Sequence, residues 1–134
     1  MKYAYPAIFY PDDGKIGVTV PDLPGCHTFG EDAADALFMA QDAIEMWLWD
    51  AEENNEVIPK ASTQADIAKQ TNDELVFVSM VAADTDEYRR QNDARAVKKT
   101  LSIPAWLNTQ ATAANINFSQ TLQKALKQEL QIAE

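Results

Sequence analysis

The sequence contains one cysteine and one histidine in 134 residues, and the two are neighbours, Cys26 and His27. A single cysteine excludes a disulfide within the chain and fits a reducing compartment. A structural zinc site needs about four ligands at recognisable spacing, and adjacent side chains rarely converge as a catalytic pair. We therefore expect no metal and no cofactor, with Cys26 packed and His27 at the surface of a loop.

Long apolar runs are also missing. No stretch of about 18 apolar residues exists that would cross a membrane. The first ten residues lack a basic patch followed by an apolar core, so they do not resemble a signal peptide, and we expect a cytoplasmic protein. There is no glycine-rich phosphate loop and no Ser-His-Asp arrangement.

Basic residues are scarce, and they are unevenly placed. The chain has 11 Lys and Arg against 21 Asp and Glu, a net charge of −10. Residues 1–87 hold four against eighteen, a net of −14, whereas residues 88–134 hold seven against three, a net of +4. An acidic half suits a basic partner and a basic half an anionic one, the alternative being that the charges serve only solubility. The polar stretch 84–96 is predicted as a linker, or a short exposed helix, between domains at 1–83 and 97–134.

The acidic half predicts a small sheet with one helix. Residues 3–10 and 16–20 are predicted strands joined by a turn at Pro11–Gly14, and Pro6 favours an edge position because it cannot donate to a ladder. A short third strand at Thr28 and Phe29 precedes a helix over 33–53 that starts at Asp32. Residues 75–83 are apolar apart from Ser79 and predict a buried central strand. The fold class is therefore α+β, in the order β-β-β-α-β, with no motif assigned to residues 54–73.

The predicted helix carries more apolar residues than one narrow stripe needs. Ala36, Ala40, Ile44 and Leu48 recur at helical spacing. Phe38, Met39, Met46 and Trp49 fall outside that stripe. Either the helix is buried on two sides, which we favour, or some of these side chains face a partner.

Three features occur together in this half: Tyr5-Pro6-Ala7-Ile8-Phe9, then Pro21-Asp22-Leu23-Pro24-Gly25-Cys26, then Gly30 before an acidic helix. In this order they resemble the N-terminal domain of HicB-type antitoxins, over about residues 3–83. The resemblance implies a truncated RNase H-like sheet that binds and blocks a small basic mRNA-cleaving toxin of the HicA type. Asp22, Glu31 and Asp32, near the Pro21–Cys26 loop, are the predicted toxin contacts.

The basic half predicts a strand and two helices. Lys98–Ile103 alternates before Pro104, helices are predicted over 105–114 and 118–132, and Asn117 is a good N-cap with Gln120 three residues on. One short strand cannot be stable alone. Pairing with its copy in a second chain would give an antiparallel ribbon, which fits the DNA major groove.

This pattern resembles the ribbon-helix-helix repressors and the C-terminal domain of many HicB proteins. The resemblance implies that Lys98, Thr100 and Ser102 read the groove. It also implies that the backbone N–H groups of Phe118 and Ser119, beside the Asn117 cap, anchor phosphates. The alternative is a dimerisation domain with no DNA role.

The resemblance thus implies an antitoxin that neutralises a HicA-type toxin and represses its own operon by binding operator double-stranded DNA. A homodimer is expected, and pairing of the acidic domains would make a tetramer. The alternative is a stand-alone ribbon-helix-helix regulator whose acidic domain binds a ligand or another protein.

A metal-dependent nuclease would need convergent carboxylates. Because Asp12, Asp13 and Asp22 lie in turns, we expect no enzymatic activity.

Overall fold

The computed structural model describes residues 1–71, 73 and 76–132 and divides into two compact units, Met1–Arg95 and Ala96–Glu134. The first unit contains a four-stranded sheet and three helices, and the second contains two helices. In chain order the elements are β1 (Lys2–Asp12), β2 (Lys15–Thr19), β3 (His27–Gly30), α1 (Ala33–Glu53), α2 (Gln64–Ala68), β4 (Phe77–Asp84), α3 (Thr85–Asn92), α4 (Ala105–Ala113) and α5 (Phe118–Glu129). The predicted α+β class is confirmed.

The sheet is antiparallel and has the strand order β3-β2-β1-β4. Strands β1 and β2 form the predicted hairpin, but its turn is shorter than expected. Pro11 and Asp12 continue β1, and only Asp13 (φ 50°) and Gly14 (φ 80°) lie between the strands. Both residues have positive φ, which a two-residue hairpin turn requires and which an Asp-Gly pair adopts readily.

Helix α1 covers one face of the sheet and forms the core with it. Its bounds are those predicted, and its buried side chains are Ala36, Ala40, Ile44, Leu48 and Ala51. They pack on Tyr5, Ala7, Phe9, Val18 and Val81 of the sheet. A Cβ on Gly30 would lie 2.2 Å from the backbone nitrogen of Ala36, so glycine allows this close approach of β3 and α1.

Pro6 lies in the central strand, at a position where its missing N–H has no consequence. The Thr85 N–H donates to the Met1 carbonyl, so odd-numbered residues of β4 bond to β1 and Pro6 faces Met80 in a non-hydrogen-bonded pair. The nitrogen of Pro6 therefore points toward the β2 side, where pairing begins only at Ile8. The expectation of an edge-like position holds for this part of β1.

Strand β4 differs from the buried central strand that was predicted. It is an edge strand, and only Val81 and Ala83 are buried. The physical reason is that β1, not β4, occupies the middle of the sheet and takes partners on both sides. Leu75, the predicted first residue of this strand, lies outside the described residues.

The first unit also contains two short helices, of which α2 was not predicted and α3 lies in the stretch predicted as a linker or a short exposed helix. Helix α2 is capped by Thr63, whose hydroxyl accepts from the Asp66 N–H at 3.1 Å, and it buries Ile67. Helix α3 is capped by Asp84 and buries Thr85 and Tyr88. Residues 84–95 therefore belong to the first unit, and α3 packs on α1. Of the two alternatives for this stretch, the structure has the short helix, but Thr85 and Tyr88 are buried.

The second unit has the two expected helices and little internal packing. Helix α5 begins with Asn117, whose side chain accepts from the Gln120 N–H at 3.1 Å, so the predicted cap is confirmed. Residues 98–103 form neither helix nor strand within the single chain. None of the described residues 96–132 is buried.

Candidate functional site

The Pro21–Cys26 loop forms no regular element, as its two prolines predicted, and it is held to α1. Backbone hydrogen bonds join Val20, Leu23 and Cys26 to one another, and Leu23 and Cys26 are buried. The indole N–H of Trp47 donates to the Pro24 carbonyl at 3.0 Å. Burial raises the pKa of the Cys26 thiol to about 11, so it stays protonated at neutral pH.

Asp22 holds this loop to a distant part of the chain. Its carboxylate accepts from the backbone N–H of Ser62 at 2.8 Å and from the Ser62 hydroxyl at 2.7 Å. The side chain is half-buried. The predicted toxin contact therefore has a structural role, and its two oxygens already have partners in the single chain.

Glu31 and Asp32 lie together, exposed, where β3 leads into α1. Asp32 caps α1 by accepting from the Asp35 N–H at 2.8 Å, as predicted, and Asp35 accepts from the Glu31 N–H at 2.9 Å. Glu31 forms an ion pair with Lys15 at 3.2 Å. Both carboxylates remain at the surface, where a partner can reach them.

A shallow cavity of about 300 Å³ lies between the loop and α1. Its walls include Cys26, His27, Met46, Trp47 and Asp50. His27 is exposed, as expected, and its Nδ1 lies 3.2 Å from the Thr19 hydroxyl.

Within residues 1–71, 73 and 76–132, no three His, Cys, Asp or Glu side chains are placed to share a metal ion. None of the helices described there is long and apolar enough to cross a membrane.

Four large apolar side chains of α1 are exposed, namely Leu37 at 41% and three of those that fall outside the predicted stripe. Phe38 is 72% exposed, Met46 53% and Met39 38%, so the favoured prediction of core burial is wrong for them. Only Trp49 is covered, by the Tyr88 ring of α3 at a centroid distance of 5.5 Å. The sheet covers one side of α1, α3 covers a further patch and the Pro21–Cys26 loop contacts Trp47, whereas Phe38, Met39 and Met46 stay exposed among the described residues of the unit.

The charge of the first unit is more negative than its cations can balance. Residues 1–95 hold seven Lys and Arg against nineteen Asp and Glu, a net of −12, and residues 96–134 a net of +2. The arginines of the basic half lie in the acidic unit. Arg89 pairs with Glu53 at 3.1 Å, Arg90 with Glu87 at 2.9 Å and Arg95 with Asp93 at 2.7 Å.

The candidate DNA-binding residues are all exposed in the second unit. Lys98, Thr100 and Ser102 lie in the segment before α4. Phe118 and Ser119 occupy the first turn of α5, beside the Asn117 cap. Phe118 and Ser119 begin a helix, as predicted, whereas the strand predicted for Lys98, Thr100 and Ser102 is absent from the single chain. The structure does not bring the two groups into one site within a single chain.

Comparison with known proteins decides the family. The sequence model of a family described as HicB-like antitoxin of bacterial toxin-antitoxin systems matches residues 5–131. The chain belongs to the HicB-like antitoxin family. This confirms the resemblance inferred from the Pro21–Cys26 loop and its surroundings.

Solved structures that are similar to this HicB-like antitoxin support the family assignment. A chain from a toxin–antitoxin complex of Streptococcus pneumoniae is 31% identical, with a TM-score of 0.60 over 96% of this chain and 99% of that one. The antitoxin HicB of Burkholderia pseudomallei is 26% identical, with a TM-score of 0.54 over 92% of this chain and 96% of that one. Its separately crystallised N-terminal domain is 28% identical, with a TM-score of 0.51 over 61% of this chain and 99% of that one.

Proposed function

We propose that this HicB-like antitoxin neutralises a small basic RNase of the HicA type by binding it with the first unit. The observation that carries the proposal is the net charge of −12 in residues 1–95, where the arginines are already paired with carboxylates of the same unit. Such a surface attracts a basic protein and repels RNA. Acidic side chains opposite an RNA-binding face speed encounter and keep the RNA out.

The first unit is proposed to be a truncated RNase H-like sheet that acts by binding and has no catalytic role. Its sheet order and its helix α1 provide a rigid platform, on which Glu31 and Asp32 are exposed and Asp22 fixes the neighbouring loop. On this proposal the protein acts in the cytoplasm, where its toxin would be made.

The second unit is proposed to pair with a second copy as a ribbon-helix-helix dimer. Its apolar side chains are uncovered in the single chain: Leu101 is 63% exposed, Trp106 63% and Leu126 51%. Two short helices without a buried residue do not form a stable core. Pairing residues 98–103 with their copy would supply the missing strand and cover these side chains.

Such a ribbon would present Lys98, Thr100 and Ser102 on one face, because alternate residues of a strand point the same way. The first-turn N–H groups of Phe118 and Ser119 would hold phosphates at the positive end of α5. Thr100 and Ser102 discriminate bases weakly and the unit carries only +2, so we expect modest affinity per dimer. Two-fold symmetry predicts a palindromic or tandem operator.

Co-expression with the product of the neighbouring gene tests the antitoxin function. We expect a basic protein of about 60–90 residues, the size implied by the HicA resemblance, to co-purify with the chain and to arrest growth only in its absence. If no neighbour binds and none is toxic, the antitoxin proposal is wrong. The remaining hypothesis is then a stand-alone regulator, tested by whether the chain binds its own promoter.

A further inference from the structure

The uncovered part of the β4 edge lies beside apolar side chains of α1. Leu37, Phe38 and Gln41 of α1 line a groove of about 200 Å³ with Met80, Val81 and Ala82 of β4. Phe38 is 72% exposed, Leu37 41% and Met80 38%. These six residues are called the edge groove below. Exposed edge strands beside apolar side chains are sites where another chain can add a strand.

The hydrogen-bond register shows which backbone groups of β4 are free to accept such a strand. Odd-numbered residues of β4 bond to β1, so the N–H and C=O groups of Val78, Met80, Ala82 and Asp84 point outward. Both ends of this row are occupied. The Gln64 amide donates to the Val78 carbonyl at 2.9 Å, and the Asp84 N–H donates to Glu45 at 2.8 Å.

The middle of the row is open within the described part of the chain. The N–H of Met80 and both backbone groups of Ala82 have no partner there, while the Met80 carbonyl accepts from the Ser79 hydroxyl at 3.1 Å. A strand that paired here would meet two β4 residues, and its side chains would reach the edge groove.

The charges around the edge groove decide what kind of strand fits. Asp42, Glu45, Asp84 and Glu87 lie at its end, and among the described residues only Glu87 forms an ion pair, with Arg90 at 2.9 Å. Burial raises the pKa of Glu45, and the three neighbouring carboxylates raise it further, although the Asp84 N–H acts in the opposite direction. Asp42, Glu45 and Asp84 have no Lys or Arg partner within the described residues, so the negative charge at this end is not balanced there.

We propose that the edge groove is the docking site of the basic toxin, which adds an edge strand to β4 at Met80 and Ala82. In that arrangement an apolar side chain of the toxin fills the groove over Phe38, and a Lys or Arg lies near Asp42 and Glu45. A second copy of this chain is disfavoured as the occupant, because each first unit carries −12. The inference rests on the proposed antitoxin function and locates its binding surface.

Matched variants of the full chain test this surface against the one near Glu31. Phe38→Ala removes the most exposed side chain of the groove, and Phe29→Ala removes a comparable side chain, 52% exposed, on the opposite edge strand β3. The probe is the purified basic protein encoded by the neighbouring gene, and its Kd is measured by calorimetry. We expect Phe38→Ala to weaken binding at least tenfold and Phe29→Ala to change it less than threefold.

A backbone pair tests strand addition itself. Ala82→Pro removes an outward N–H that β1 does not use, as Pro6 does in the opposite strand, whereas Ala82→Val keeps that donor. Losing one backbone hydrogen bond and placing a ring at the edge should weaken toxin binding about tenfold more in Ala82→Pro than in Ala82→Val. Circular dichroism and the melting temperature establish that both variants fold. If Ala82→Pro does not fold, the comparison of Phe38→Ala with Phe29→Ala decides whether the edge groove binds the toxin.

The outcomes separate the two proposals. If the parent chain binds the basic protein but Phe29→Ala weakens binding more than Phe38→Ala, the edge groove is wrong and the antitoxin function stands. If Phe38→Ala changes only the oligomeric state measured by sedimentation, the occupant is a second copy and the inference is overturned. If the parent chain does not bind the basic protein at all, the proposed function fails and the inference fails with it.

Discussion

Single residues in this chain were predictable where their chemistry is local. Asp32 and Asn117 were recognised as caps from the residues three positions on, and both caps are confirmed. Asp22 is predicted as a toxin contact because it lies in the Pro21–Cys26 loop, but its partner Ser62 is forty residues away in sequence. No local pattern shows such a contact, so the structural role of Asp22 became visible only with the fold.

Substitution of Asp22 tests whether this residue stabilises the fold or contacts the toxin. Asp22→Ala removes the acceptor of two Ser62 hydrogen bonds and should lower the free energy of unfolding by about 1–2 kcal/mol. Glu31→Ala breaks only an exposed ion pair, so we expect a loss of less than about 1 kcal/mol. Urea denaturation measures both. The prediction fails if the two losses are equal.

Asp22→Asn refines the test, because the amide oxygen can still accept from Ser62. We expect it to retain most of the stability and to bind the toxin as the parent chain does. Loss of toxin binding in a stable Asn variant would instead assign Asp22 to the contact surface.

Among the helices of the first unit, the long one is predictable from the sequence, whereas the short ones are less so. Helix α1 has 21 residues, a continuous apolar stripe and a cap, and its bounds were predicted. Helices α2 and α3 have five and eight residues. Helix α2 was not predicted, and α3 was given only as the alternative to a linker, although Thr63 with Asp66 and Asp84 with Glu87 are the capping signals that indicate them. The edge position of β4 depends on pairing between distant strands, which an apolar run does not encode.

The contact between α1 and β4 has a predictable pH dependence. Burial, chiefly, and repulsion from Asp42, Asp84 and Glu87 raise the folded-state pKa of Glu45 above its ordinary value of 4.5. A raised folded pKa means that the protonated form favours folding. The contribution of Glu45 to stability is therefore fully present below pH 4.5 and is lost as the pH rises through the folded pKa.

Glu45→Gln isolates this effect, because glutamine keeps an acceptor for the Asp84 N–H but does not ionise. We expect the variant to gain stability relative to the parent chain as the pH rises from about 4 to 8. Urea denaturation across that range measures the difference between the two proteins. A difference that stays constant or falls with rising pH would show that the folded-state pKa of Glu45 is not raised.

For the whole molecule, the sequence predicted an acidic and a basic half, and the structure changes what that division means. Three of the seven basic residues of the 88–134 segment are arginines of the first unit, paired with its carboxylates. The division in function that we propose therefore rests on two packing facts as well as on the net charge of the first unit. The first unit has a closed core, whereas the second has no buried side chain among its described residues.

Because the first unit has its own core, residues 1–95 should fold and neutralise the toxin alone, as a monomer. In the full chain, replacing Lys98, Thr100 and Ser102 together with alanine should abolish binding to promoter DNA and leave the affinity for the toxin unchanged. Gel-shift titration and calorimetry measure the two activities, and the truncated chain serves as the DNA-binding negative control. Loss of toxin binding in the triple variant would show that the two units act as one, because residues 98–102 have no contact role in the proposed toxin surface.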